Sequence, residues 1–207
     1  MKIRKIAHHS PEELISRLRN ITMLKNPDLY IYKNALISLE YISTECLYPA
    51  QRYVLIQEIN KVRKLKWELE KHGIDLFALN GFIKIWFEEA DEPIDLLPPI
   101  VEESIERNGR VVNIINDGMH RIYLARLEWV IPQVVFVRGV PKEYPYYAFP
   151  NPEQWKGIEL VDSLPEGYVK KWHRIENYHS LYRNFNSAFD NVGAPRPRFE
   201  NKKTTKK

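Results

Sequence analysis

The sequence predicts an α+β fold, with a small mixed sheet, helices packed on it and a helical N-terminal extension. Three observations carry this expectation. A β-branched run, Val111–Ile115, passes through Asn116, Asp117 and Gly118 into the helix-compatible stretch Met119–Leu127, a strand–turn–helix signal. Between Pro49 and His72, the residues Leu55, Ile59, Val62, Leu65 and Leu69 recur at three- and four-residue intervals, which puts them on one face of a helix. Two short apolar runs, Ile74–Leu79 and Phe82–Phe87, flank Asn80-Gly81, the favoured pair for a two-residue hairpin turn. At 207 residues the chain is long enough to bury one core, as a single domain or a domain with an appendage.

Each element has its own local signal. Ser10 suits a helix N-cap, Pro11 the first helical position and Glu13 the reciprocal partner of a capping box. That helix is expected to reach about Leu24, before Asn26-Pro27-Asp28 breaks it. Leu29–Tyr32 is strand-like, and Asn34–Ile42 is compatible with helix. Gly73 closes the long amphipathic helix. Pro93, Pro98 and Pro99 punctuate the chain before a helix expected from near Pro98 to Asn108, with Gly109 as its cap. Tyr144–Pro152 holds too many prolines for a regular element. Ser163–His173 is a candidate helix start, and Tyr178, Tyr182, Phe185 and Phe189 follow at helical spacing as a core stripe rather than a binding face. These signals divide the chain into a helical extension (1–72), a core with a C-terminal helical segment (73–192) and a basic, disordered tail (193–207).

Composition narrows the function. The single cysteine, Cys46, excludes an internal disulfide and any multi-cysteine metal site. No run of eighteen apolar residues exists, so no membrane span is expected. Lys2, Arg4 and Lys5 are not followed by an apolar stretch, so the start does not read as a signal peptide, and a cytoplasmic location is the expectation. The net charge of +4 is concentrated in residues 193–207, where six cations face Glu200 alone and leave the rest of the chain at −1. A near-neutral body does not read as a dedicated nucleic-acid surface. The tail is either a solvated terminus or a weak, salt-dependent contact for nucleic acid. Lys61, Arg63, Lys64 and Lys66 carry the same two readings. Twelve tyrosines and five tryptophans point to polar-tipped packing or an aromatic pocket.

The strand–turn–helix at 111–127 is the candidate site. A strand that turns sharply into a helix aims the first helical amides at one spot, and the helix dipole favours an anion there. His120 and Arg121 stand beside those amides, and an arginine offers a planar fork for phosphate oxygens. Gly118, Met119, His120 and Arg121 thus form a candidate phosphate cradle. The same residues also suit a plain Asp-Gly turn with Asp117 near the helix N-cap.

These residues carry a family resemblance. Asp117-Gly118-Met119-His120-Arg121, followed by Ala125 and Arg126, resembles the Asp-Gly-x-His-Arg-x-x-x-Ala box of the ParB/sulfiredoxin superfamily. Ile100–Gly109 resembles the family's upstream helix ending in Ser-Ile-x-x-x-Gly, and Val130–Val137 the strand after the box, so the likeness spans roughly residues 82–140. It implies a ParB/sulfiredoxin-like core. In the sulfiredoxin branch a nucleophilic cysteine occupies the position of Met119, whose thioether cannot act so. The chromosome-partition branch adds a helix-turn-helix module, and no such pattern follows residue 140.

The box is closest to that of free serine kinases, Asp-Gly-His-His-Arg, with Met119 in place of the first histidine. That resemblance implies a nucleotide-binding protein whose reaction would be phosphotransfer from ATP or ADP with Mg²⁺ to a small hydroxyl substrate. Gly118, Met119, His120 and Arg121 would hold phosphates, and Asp117 would contact the metal or shape the turn. Counting back from Glu103, as the family's spacing implies, reaches Asp91 and Glu92 as candidate catalytic carboxylates, with Glu88 and Glu89 as competitors. Trp155 and His173 would face the small-molecule substrate. The alternative is a DNA- or RNA-associated ParB-like nuclease or regulatory module that uses the same box on backbone phosphate, and a third is an interaction protein with a degenerate box.

Overall fold

A computed structural model describes residues 2–106 and 108–192. The basic tail of residues 193–207 lies outside the described residues. The strands are β1 (Ile3–His9), β2 (Thr22–Met23), β3 (Asn26–Tyr30), β4 (Leu36–Tyr41), β5 (Leu47–Tyr48), β6 (Tyr53–Leu55), β7 (Phe82–Phe87), β8 (Ile94–Leu96), β9 (Ile100–Ile105), β10 (Val111–Asp117), β11 (Gln133–Arg138), β12 (Glu159–Val161) and β13 (Arg183–Asn184). The α-helices are α1 (Pro11–Leu18), α2 (Ile56–Glu70) and α3 (Met119–Leu127). The architecture is α+β, as the sequence predicts.

A mixed five-stranded sheet in the order β4-β11-β9-β10-β5 forms the centre. β11 runs antiparallel to β4 and parallel to β9, and β10 runs antiparallel to β9 and parallel to β5. Apolar layers cover both faces of this sheet. Along β11, Val134 and Phe136 join the cluster that α2 and α3 cover, while Val135 and Val137 join the cluster of α1 and the C-terminal segment. This is the two-residue alternation of a strand buried on both sides.

At the first helix the Ser10 cap and Pro11 appear as expected, but Glu13 does not close the capping box, because its carboxylate pairs with His9 at 2.9 Å and Arg17 at 2.8 Å instead. Ser10 Oγ accepts from the Glu13 amide at 3.2 Å, and Pro11 occupies the first helical position. In α2, Ile59 and Leu69 are buried and Val62 and Leu65 pack against the same cluster. Two of the cations on its outer face are spent locally: Lys61 pairs with Glu58 at 2.6 Å and Lys66 with Glu70 at 2.6 Å.

Several expectations need correction. Residues 1–72 are not a helical extension. They supply β1 to β6 as well as α1 and α2, and β4 and β5 are the two edges of the central sheet. Leu36–Tyr41 pairs along its length with β11, so a stretch whose local pattern allows helix becomes a strand through tertiary pairing. Helix α1 stops at Leu18, because Thr22 and Met23 pair with β3 and β13 instead.

The helix expected from Pro98 to Asn108 is strand β9. Its Glu102 is only 2% exposed, and the sequence gives no sign of the partners that make a buried glutamate tolerable. The Asn80-Gly81 turn does adopt positive φ, 50° and 133°, but it joins no hairpin. Ile74, Leu76, Phe77 and Leu79 are buried off the sheet, and β7 pairs with β1 and β8. The C-terminal stripe forms 3₁₀ turns around β13 rather than an α-helix, and no helix forms over 163–173. Phe185 and Phe189 of that stripe do enter the core.

Candidate functional site

The end of β10 sets the geometry. Its pairing with β9 shifts between Ile115 and Asp117, a bulge that turns the strand out of the ladder. Gly118 follows with φ +82°, ψ 21° and heads α3, which no side chain caps. The amides of Arg121 and Ile122 both close onto the Gly118 carbonyl, at 2.9 and 3.0 Å. A Cβ at Gly118 would meet Pro99 Cβ at 2.8 Å and Arg121 Nη2 at 2.9 Å, so both conformation and space demand glycine.

A cavity of about 320 Å³ opens on this turn. Asp117, Gly118, Met119, His120 and Arg121 all line it, so the structure brings the whole box to one opening. Val62 and Leu65 of α2, Ile94 and Leu96 of β8, and Ile115 supply its apolar wall. Glu58, Gln51 and Lys171 add polar groups. Such a mixture of apolar wall and few polar groups is typical of a small-ligand site.

Arg121 is buried and largely structural. Its guanidinium donates to the Leu97 carbonyl and, at 3.1 Å, to Asp117 Oδ2. It thereby ties the loop before β9 to the turn and pairs with the Asp117 carboxylate, whose side chain stays 19% exposed. Met119 packs into the core cluster beneath α3. Asp95, also on the wall, accepts the Asp190 amide at 2.9 Å and pairs with Lys84 at 3.2 Å.

A buried polar network supports β10 from below. Arg183 spreads its five donors over Glu102 (2.8 and 2.9 Å) and the carbonyls of Leu181, Pro145 and Tyr144 (2.7, 3.1 and 2.8 Å). Tyr32 donates its hydroxyl to Glu102, and Asn116 donates to both Glu102 and, at 3.0 Å, the Tyr32 hydroxyl. Burial works against the charge on Arg183, but the Glu102 carboxylate outweighs it and the pKa is raised. For Tyr32, burial first and Glu102 second push the phenol up. This network fixes Asn116, the residue before the box.

Several sequence-derived candidates lie elsewhere. Asp91 and Glu92 are exposed on the turn between β7 and β8, outside the cavity lining. Glu88 pairs with Lys2 at 2.9 Å, and Glu89 accepts the Lys2 amide at 3.4 Å. Trp155 is buried near the other end of α3, where its indole donates to the Thr44 carbonyl at 2.7 Å and the Arg126 guanidinium lies 5.2 Å from its ring. His173 is exposed and stacks on Tyr178 with centroids 3.5 Å apart. Partial burial, with Lys171 and His179 nearby, holds its imidazole below the ordinary value.

Sequence reasoning misses Gln51, Glu58, Asp95, Lys171 and Asn191 of the cavity lining, and Lys171 is the cation among them. Its one available signal is the tyrosine cluster at 144–147, since Tyr146 and Tyr147 turn out to hold the ammonium. Burial, with Lys170 adding to it and Asp117 opposing, pushes the lysine down to about 7.

Among the described residues no cluster of three or more His, Cys, Asp or Glu side chains is placed to cage a metal. A Mg²⁺ carried by nucleotide phosphates needs only one or two protein carboxylates, and Asp117 fits that lesser demand. No described helix is long and apolar enough to cross a membrane. No curated protein and no solved structure matches the chain. The model of the ParB CE domain matches residues 13–159, which contain the box and every strand of the central sheet. The chain therefore belongs to the ParB CE domain family.

Proposed function

We propose that the cavity at the Gly118 turn binds the phosphates of a nucleotide, ATP or ADP with Mg²⁺, and that the protein is a phosphotransferase acting on a small hydroxyl compound. The observation that carries the reading is the opening itself: all five box residues border one cavity of about 320 Å³ at an uncapped helix N-terminus. Amides at the head of α3 offer donors to phosphate oxygens, and the dipole favours their charge. His120 adds a side-chain donor at the rim. Asp117 would hold Mg²⁺, which offsets phosphate charge and would offset the carboxylate's own repulsion of the anion.

Transfer to a hydroxyl needs a group to orient it and accept its proton. Asp91 and Glu92 stand outside the lining, so this reading gives them no role. Of the cavity carboxylates, Asp95 is fully buried on Lys84 and the Asp190 amide, whereas Asp117, paired with Arg121 at 3.1 Å, and Glu58, paired with Lys61 at 2.6 Å, keep partly exposed side chains that border the opening and are the candidates to face a substrate. Trp155 serves the core and His173 lies outside the cavity, so neither is assigned to the substrate here.

The test is thermal unfolding with Mg·ATP and Mg·ADP. A ligand that binds only the folded state at a hundred times its Kd stabilises by about 2.7 kcal/mol, which moves Tm by roughly 5–10 °C in a chain of this size. His120→Ala should abolish most of the shift, measured against the variant's own unliganded Tm. No shift with either nucleotide, together with steeply salt-dependent binding of a DNA or RNA oligomer, would transfer the box to backbone phosphate and end the phosphotransferase reading.

A further inference from the structure

Lys171 enters the cavity from the segment between β12 and β13, beyond the residues 13–159 that the family model covers. Its ammonium donates to the Tyr146 hydroxyl at 3.0 Å and to the Tyr147 hydroxyl, and stands 4.6 Å from the Tyr147 ring centroid. Both tyrosines are themselves fixed. Tyr146 is buried and donates its hydroxyl to the Asn116 carbonyl at 3.4 Å, one residue before the box. Tyr147 packs edge-on against Tyr182 with centroids 4.5 Å apart.

Two of the three ammonium N–H groups are thus used on neutral hydroxyls, and one is left. Among the described residues no carboxylate comes within 4 Å of this lysine, although Asp117 borders the same cavity. A half-buried cation without a counter-ion is costly, and an anionic ligand would remove that cost. The groups that face it are Asp117 of β10, Tyr146 and Tyr147 of the proline-rich segment, and Lys170 and His173 of its own segment.

We propose that Lys171 is the second anion-binding element of the site. It grips the terminal phosphate of a nucleoside triphosphate whose inner phosphates rest on the Gly118 turn. The C-terminal segment thereby makes the site discriminate triphosphate from monophosphate. This rests on the nucleotide reading above.

Calorimetric titration of the full chain with Mg·ATP, ADP and AMP tests it, using wild type, Lys171→Met and Lys171→Arg. Wild type should prefer ATP to AMP. Lys171→Met should lose about tenfold or more in ATP affinity while AMP binding stays within about twofold, and Lys171→Arg should recover most of the ATP affinity. Equal losses for ATP and AMP, or no loss, overturn the assignment and leave the nucleotide reading standing. Absence of binding by wild type to all three overturns both. The near-ultraviolet circular dichroism of each variant reports its fold, and Lys171→Gln replaces Lys171→Met should the latter not fold.

Discussion

Arg183 and Glu102 are the residues on which most depends. Arg183→Ala leaves a 2%-exposed carboxylate without its cation, and we expect a loss of about 3–5 kcal/mol, measured by urea unfolding. A loss under 1 kcal/mol would show that the network does not hold β10 in place. Gly118→Ala forces a Cβ against Pro99 in a left-handed backbone, and should cost about 1–3 kcal/mol and abolish the nucleotide-induced shift. At this scale the box was legible, because a strand–turn–helix with Asp-Gly at the turn is a local pattern. Arg121 was only half legible. Its fork reads as a phosphate ligand from spacing, yet it is spent on Leu97 and Asp117, which only the loop before β9 reveals. Lys171 was not legible, since nothing local links it to a turn more than fifty positions earlier.

Elements were legible where the signal lies in neighbouring residues and illegible where the partner is distant. The cap at Ser10 is local and appears as predicted. Ser10→Ala should cost about 1 kcal/mol and leave nucleotide affinity unchanged, because α1 covers the sheet face away from α2 and α3. A change in affinity would mean that the two faces are coupled. β9 shows the opposite case. Its Glu102 and Glu103 give the run a helix-like polar face, but Glu102 faces Arg183, 81 positions away, and the run pairs with β10. β4 likewise becomes a strand only because β11 lies beside it. The Asn80-Gly81 turn kept its backbone conformation and lost its hairpin, because the apolar run before it is drawn into the layer under α2.

At the scale of the whole molecule, the cavity lies where α2, β8, the end of β10 and the C-terminal segment converge, so binding and stability are linked through it. Lys171 makes the link visible. Burial lowers its pKa to about 7 from the ordinary 10.5. The unfolded chain then holds one more proton than the folded chain between those values, and stability should rise as pH increases from about 7 toward 10.5. Below 7 both states are protonated and the full cost of burying the ammonium is present. Lys171→Met without nucleotide should therefore be more stable than wild type near pH 6, with the gap narrowing toward pH 10; a gap independent of pH would contradict the burial of this charge. The central claim is that phosphate rests on the turn after β10, and its most direct test is a crystal structure of the protein with Mg·ATP. The account predicts phosphate oxygens about 3 Å from the amides at the head of α3, beside His120. Nucleotide bound at another surface, with the cavity at Gly118 holding only water, would contradict it.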